Sequence, residues 1–142
     1  METKQRTIIS VEANIKAPIY RVWEMWTTAE HITKWNTASD DWQTTFAEND
    51  LRKGGHFLFR MEAKDRSSGF DFDGVYDDVK INQLIEYTLS DARKVRILFM
   101  DNDDRTKIIQ SFEAEESNTI EEQRDGWQNI LNNFKKYVER RV

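Results

Sequence analysis

His31 and His56 are the only imidazoles in this 142-residue chain, and it has no cysteine. The two histidines share no H-x-x-x-H or H-x-x-E spacing, so they offer no zinc-type ligand set. Without cysteine there is no disulfide, thiol nucleophile or thiolate metal site. Asp71-Phe72-Asp73-Gly74 is superficially like a calcium loop. Its spacing departs from the twelve-residue pattern, however, and its alternation reads as strand. Asp101 to Asp104 reads as a solvated turn. Gly54-Gly55 is not followed by a helix start, which makes it a poor phosphate cradle. Carboxylate catalysis needs two placed acids, or a nucleophile with a base and an orienting partner. Glu62 and Glu86 alternate outward in the expected register, although a one-residue slip would reverse that. No catalytic constellation emerges, and no metal or cofactor is expected.

Other residues carry recognition chemistry. Gln110 lies between Ile108 and Phe112 on a face expected to point inward. A buried amide without partners costs about 1–3 kcal/mol, so Gln110 needs a neighbour, a water or a ligand's polar head. Phe59, Phe72, Tyr76 and Tyr87 are inward rings on successive strands. They are either core filler or the wall of a cavity, and a buried tyrosine hydroxyl seeks a partner. Trp127 and Leu131 fall on the apolar stripe of a helix, and Trp127 either plugs the core or walls a ligand space. Gly126, beside it, costs a helix interior about 1 kcal/mol against alanine, which points to close approach of helix and sheet. Arg124 sits on the same stripe. Its stem lies along the surface with the guanidinium reaching water or Glu121, or it points inward to clamp a carboxylate or phosphate. These eight residues, Gly126 aside, are the candidate cavity set.

The elements that must position them follow from periodicity. From Thr119 to Arg141, Ile120, Arg124, Trp127, Leu131, Phe134 and Val138 recur at steps of three and four, the stripe of an amphipathic helix. Asn118 or Thr119 suits the N-cap, and Glu121 and Glu122 suit the first turn. At the other end of the chain Ile9, Val11, Ala13 and Ile15 alternate as in a half-buried strand. Pro18 suits the first turn of a short helix carrying Ile19, Val22, Trp23 and Trp26. Thr28 caps a second helix carrying Ile32 and Trp35. Period two then takes over. Trp42, Thr44 and Phe46 share a face, as do Phe57, Phe59, Met61 and Ala63. Phe70, Phe72, Gly74 and Tyr76 follow, then Ile85, Tyr87 and Leu89. Val95, Ile97 and Phe99 precede Ile108, Gln110 and Phe112. Short turns between them predict antiparallel meanders. The fold class is therefore α+β: a curved antiparallel sheet of about seven strands in the order β-α-α-β6-α, covered by the long C-terminal helix.

Composition fits this outline. The chain is 38% hydrophobic and 33% charged, as expected of one globular domain spanning residues 1–142. Its net charge of −5 argues against a grip on nucleic acid. No apolar run is long enough to span a membrane and no signal core opens the chain, so a cytoplasmic location is expected. Five Trp, eight Phe and four Tyr supply rings either to the core or to a cavity for a flat, greasy molecule.

Four local stretches carry a resemblance. They are Ala17-Pro18-Ile19-Tyr20-Arg21-Val22-Trp23 with Lys34-Trp35; Lys53-Gly54-Gly55-His56-Phe57; Gly74-Val75-Tyr76 with Leu84-Ile85-Glu86-Tyr87-Thr88; and Ser111-Phe112-Glu113-Ala114-Glu115 with Gln123-Arg124-Asp125-Gly126-Trp127. In this order they resemble the START-like (helix-grip, SRPBCC) superfamily, in the branch similar to the C-terminal domain of activators of Hsp90 ATPase. The resemblance implies a helix-grip fold and a cup for lipids, hormones, polyketides or other apolar molecules. Some members of that superfamily are cyclases. The Hsp90 link rests on a two-domain arrangement, and a second domain is not expected here. The reading is a small, mostly hydrophobic ligand held between sheet and C-terminal helix. A protein-interaction module and a cyclase-like enzyme stand as alternatives, and a homodimer through a strand edge is compatible with the sequence.

Overall fold

Alternation of apolar and polar side chains builds the sheet. In a computed structural model that describes residues 6–141, β1 (Ile8–Ile15) buries Ile9, Val11, Ala13 and Ile15 and exposes the residues between them. Then come α1 (Ile19–Thr27), α2 (Ala29–Trp35), β2 (Trp42–Asn49), β3 (His56–Ala63) and β4 (Gly69–Lys80). The chain continues through β5 (Leu84–Leu89), β6 (Lys94–Asn102) and β7 (Arg105–Glu113) to α3 (Ile120–Glu139). The seven strands form one antiparallel sheet in the order β1-β7-β6-β5-β4-β3-β2. The α+β order read from the sequence is therefore the observed one.

The topology constrains the helices. β1 and β2 are consecutive strands at opposite edges of the sheet. The connection between them, α1 and α2, must cross the sheet from edge to edge. α1 packs on β6, β7 and α3, and α2 packs on β2 and α3, while α3 lies chiefly along β1. One end of the concave face is thus roofed by the helix pair. The strands β3 and β4, at the other side, lie away from α3.

α3 starts with a reciprocal cap. The Thr119 hydroxyl accepts from the Glu122 N–H, and the Glu122 carboxylate accepts from the Thr119 N–H. The inward face is Gln123, Trp127, Leu131, Phe134 and Val138, at steps of four, four, three and four. This corrects the expected stripe at its N-terminal end, where Ile120 is 38% exposed and Arg124 is exposed. The cause lies in Gln123. Its side-chain oxygen accepts from the Glu115 N–H at 2.8 Å, and its amide donates to the Asn118 carbonyl at 2.9 Å. Those bonds tie the β7–α3 loop under the first turn and fix the rotation of the helix. At about 100° per residue, Arg124 is then turned toward solvent.

A second correction concerns Phe46. The pairing of β2 with β3 shifts between Thr44 and Phe46, so Ala47 takes the inward place and Phe46 is 50% exposed. One extra residue in a bulge inverts every side chain after it.

Around the C-terminal half of α3 the core is aromatic. Phe134 is fully buried, edge-on to Trp26 and Trp35 at centroid distances of 4.8 and 4.7 Å. It joins α1, α2 and α3, so Phe134→Ala should cost about 3–5 kcal/mol in urea unfolding. Phe46→Ala, outside the core, should cost less than about 1 kcal/mol on the same curve.

Candidate functional site

Between the concave sheet and α3 lies a cavity of about 240 Å³. Rings make most of its wall. Phe57 and Phe59 come from β3, Phe72 and Tyr76 from β4 and Tyr87 from β5, with Trp127 from α3 and Trp26 and Trp35 from the helix pair. Phe57 sits at the middle of the cluster, with ring centroids 4.8 Å from Tyr87, 5.1 Å from Tyr76 and 5.2 Å from Phe59. It lies over Gly74, where an added Cβ would be 2.5 Å from the Thr88 carbonyl and 3.0 Å from the Phe57 ring. Close packing in the cavity wall therefore requires a glycine at position 74. Trp127 both packs and lines: one face stacks on Phe112 at 3.9 Å, and its edge meets Phe72 at 6.0 Å.

Several polar groups in the wall are already held by hydrogen bonds. The Tyr76 hydroxyl donates to Asn49 Oδ1, and Asn49 Nδ2 donates to the Thr27 carbonyl at 2.7 Å, tying β4 to β2 and α1. Tyr87 and the buried Gln110 face the same space from β5 and β7. Asn36 Nδ2 contacts Met61 Sδ at 3.9 Å, and the Asn36 carbonyl accepts from the Thr44 hydroxyl at 2.7 Å. Among the described residues, no fully buried side-chain polar atom lacks a hydrogen-bond partner.

Among the described residues, Arg93 is the one charged residue in the wall. Its side chain is 14% exposed; Nε donates to Asp91 Oδ2 at 2.8 Å, and Nη1 reaches the Glu113 carbonyl at 3.4 Å. The turn that presents it contains Ala92 at φ +75°, an uncommon conformation for a residue with a side chain. Burial pushes the hydroxyl pKa of Tyr76 well up, and that of Tyr87 further, against the opposing effect of Arg93. Both tyrosines therefore remain protonated hydroxyls through the physiological range. Among the described residues no group of three His, Cys, Asp or Glu is placed to hold a metal ion.

Of the eight residues expected to line a cavity, the structure brings together Phe59, Phe72, Tyr76, Tyr87, Gln110 and Trp127. Two do not line it. Leu131 is fully buried in the core beneath α3, and Arg124 faces solvent, so it clamps nothing inside. Arg93 was missed because its turn has no periodicity to read. Phe57 and Met61 were legible as inward positions, as Trp26 and Trp35 were by helical spacing.

Gly126 also departs from expectation. Nothing lies within 4 Å of where its Cβ would be, so close approach of helix to sheet does not explain it. It borders a surface groove of about 440 Å³ that shares Met61, Phe70, Arg93, Trp127 and Ile130 with the cavity.

Comparison with known proteins places this geometry in a familiar group. The family profile described as "Activator of Hsp90 ATPase homolog 1-like protein" matches residues 16–139. The solution structure of the AHSA1-like protein from Aeromonas hydrophila is 41% identical with a TM-score of 0.89, over 95% of this chain and 94% of that one. A solution structure from Cytophaga hutchinsonii is 52% identical with a TM-score of 0.81, over 94% of this chain and 92% of that one. A crystal structure from Chromobacterium violaceum shares the fold at 20% identity, with a TM-score of 0.84 over 94% of this chain and 98% of that one. No curated protein matches the chain.

Two measurements check this geometry. Gly126→Ala should raise stability by up to about 1 kcal/mol, since helix propensity improves and nothing is displaced. Gly74→Ala should lower it by about 1–3 kcal/mol through overpacking, and urea unfolding reads both. The tyrosines set a pH dependence. Their folded pKa values lie above the unfolded value of about 10, so their contribution is full below pH 10. It should be lost progressively as pH rises above that, because the unfolded chain then releases protons that the folded chain keeps. Tyr87→Phe should flatten this alkaline fall in a series of urea curves from pH 8 to 11.

Proposed function

We propose, for a chain that belongs to the Activator of Hsp90 ATPase homolog 1-like protein family, a binding function: it holds a small, mostly apolar molecule between its sheet and α3. The observation that carries this reading is the ring-lined cavity of about 240 Å³ beside a buried hydrophobic core. An apolar cavity of about 150 Å³ is enough for benzene, so this one has room for a single or fused ring system or a short branched chain. Burying about 200 Å² of such a guest at about 25 cal/mol per Å² gives about 5 kcal/mol before association costs. Affinity then comes from shape and burial. Arg93, Gln110 and Tyr87 orient any polar atom the guest carries.

One further observation bears on the alternatives. Among the described residues the ionisable groups in the wall are Arg93 and the two tyrosines, with no carboxylate or imidazole beside them for acid–base steps. No helix among the described residues is long and apolar enough to cross a membrane.

A thermal-shift screen of one- and two-ring aromatic compounds tests the reading. Members that fit should raise the unfolding midpoint and alter the emission of Trp26, Trp35 and Trp127, which line the space. Ile130→Phe, which narrows the cavity from α3, should weaken the same compounds at least tenfold. A panel that leaves the midpoint and the emission unchanged would overturn it.

A further inference from the structure

A glycine in the middle of a helix needs a reason, and at Gly126 the usual ones are absent. It sits within α3, Ile120–Glu139, and its backbone is not in the left-handed region that favours glycine. No neighbouring atom would touch a Cβ there. Alanine would therefore fit and would strengthen the helix. What the missing side chain does leave is open space in a groove that adjoins the cavity. The groove beside Gly126 is bounded by Ser39 and Trp42 before and at the start of β2, by Phe70 at the start of β4, and by Glu122 and Gln123 on α3. Met61, Phe70, Arg93, Trp127 and Ile130 line both groove and cavity, so the two spaces adjoin. Phe70 is 47% exposed and packs against Trp42 at 5.9 Å, which places an apolar ring pair opposite Gly126. α3 packs chiefly on β1, while α1 and α2 pack on β6, β7 and β2, which leaves this side of the sheet without a helix along it.

Resting on the binding function above, we propose that this groove is the entrance to the cavity and that Gly126 sets the width of molecule admitted. A helical side chain leans back toward the preceding turn. A large residue at 126 would therefore lie over the groove, between Glu122 and the Phe70–Trp42 pair. The wild-type opening admits flat rings edge-on. Selectivity resides in passage as well as in the fit inside.

Fluorobenzene and 1-fluoronaphthalene, followed by 19F NMR exchange, provide the test. Gly126→Phe should slow exchange of 1-fluoronaphthalene at least tenfold and that of fluorobenzene less, with little change in either Kd at equilibrium. Asp125→Phe, on the exposed side of the same turn, should leave both rates as in the wild type. Gly126→Ala should keep wild-type exchange while raising Tm, which separates helix propensity from obstruction. If Gly126→Phe does not fold, Gly126→Leu replaces it in the same comparison. Wild-type exchange in a folded bulky variant overturns the entrance and leaves the binding function standing. Absence of binding by the wild type to either probe removes both.

Discussion

One helix cannot cover a sheet of seven strands. Strands spaced about 4.8 Å apart make a sheet nearly 30 Å wide, whereas a helix with its side chains is about 10–12 Å across. Most of the apolar face would meet water unless the sheet curls and other elements roof the remainder. Here β1 and β2 lie at opposite edges, which forces α1 and α2 across the concave face. Together with α3 they cover one end and one side. The ring-lined cavity lies where these covers do not meet β3, β4 and β5 closely.

Local bonding then decides which side chains face that space. Gln123 fixes the roll of α3 through the β7–α3 loop, and so aims Trp127 inward and Arg124 outward. Gly74 lets the Phe57 ring approach the backbone of β4, and Phe57 in turn contacts Phe59, Phe72, Tyr76 and Tyr87. Tyr76, Asn36 and Arg93 bond to residues behind the wall, and among the described residues no fully buried side-chain polar atom is unpaired. That arrangement favours a site that recognises its guest by shape and burial.

Much of the architecture was legible from residue order, because burial of one sheet face imposes period two directly. Ile9, Val11, Ala13 and Ile15 are the plainest instance. The pattern failed where backbone geometry breaks the period. The bulge after Thr44 turned Phe46 outward, and no residue type there announces it. On α3 two stripes shared Trp127 and Leu131, and only the bonds of Gln123 chose between them. The cavity wall was legible where it is made of strand rings and obscure where it is made of a turn, as at Arg93. Gly126 was conspicuous in sequence, but the space around it could be known only from the fold.

The most direct measurement is a crystal structure under xenon pressure, because xenon enters dry apolar cavities and avoids packed interiors. Xenon should appear among Phe57, Phe72, Tyr87 and Trp127 without displacing those rings. An interior that takes up no xenon there, or one filled by a chain of ordered waters, would contradict a hollow apolar space built to hold a guest.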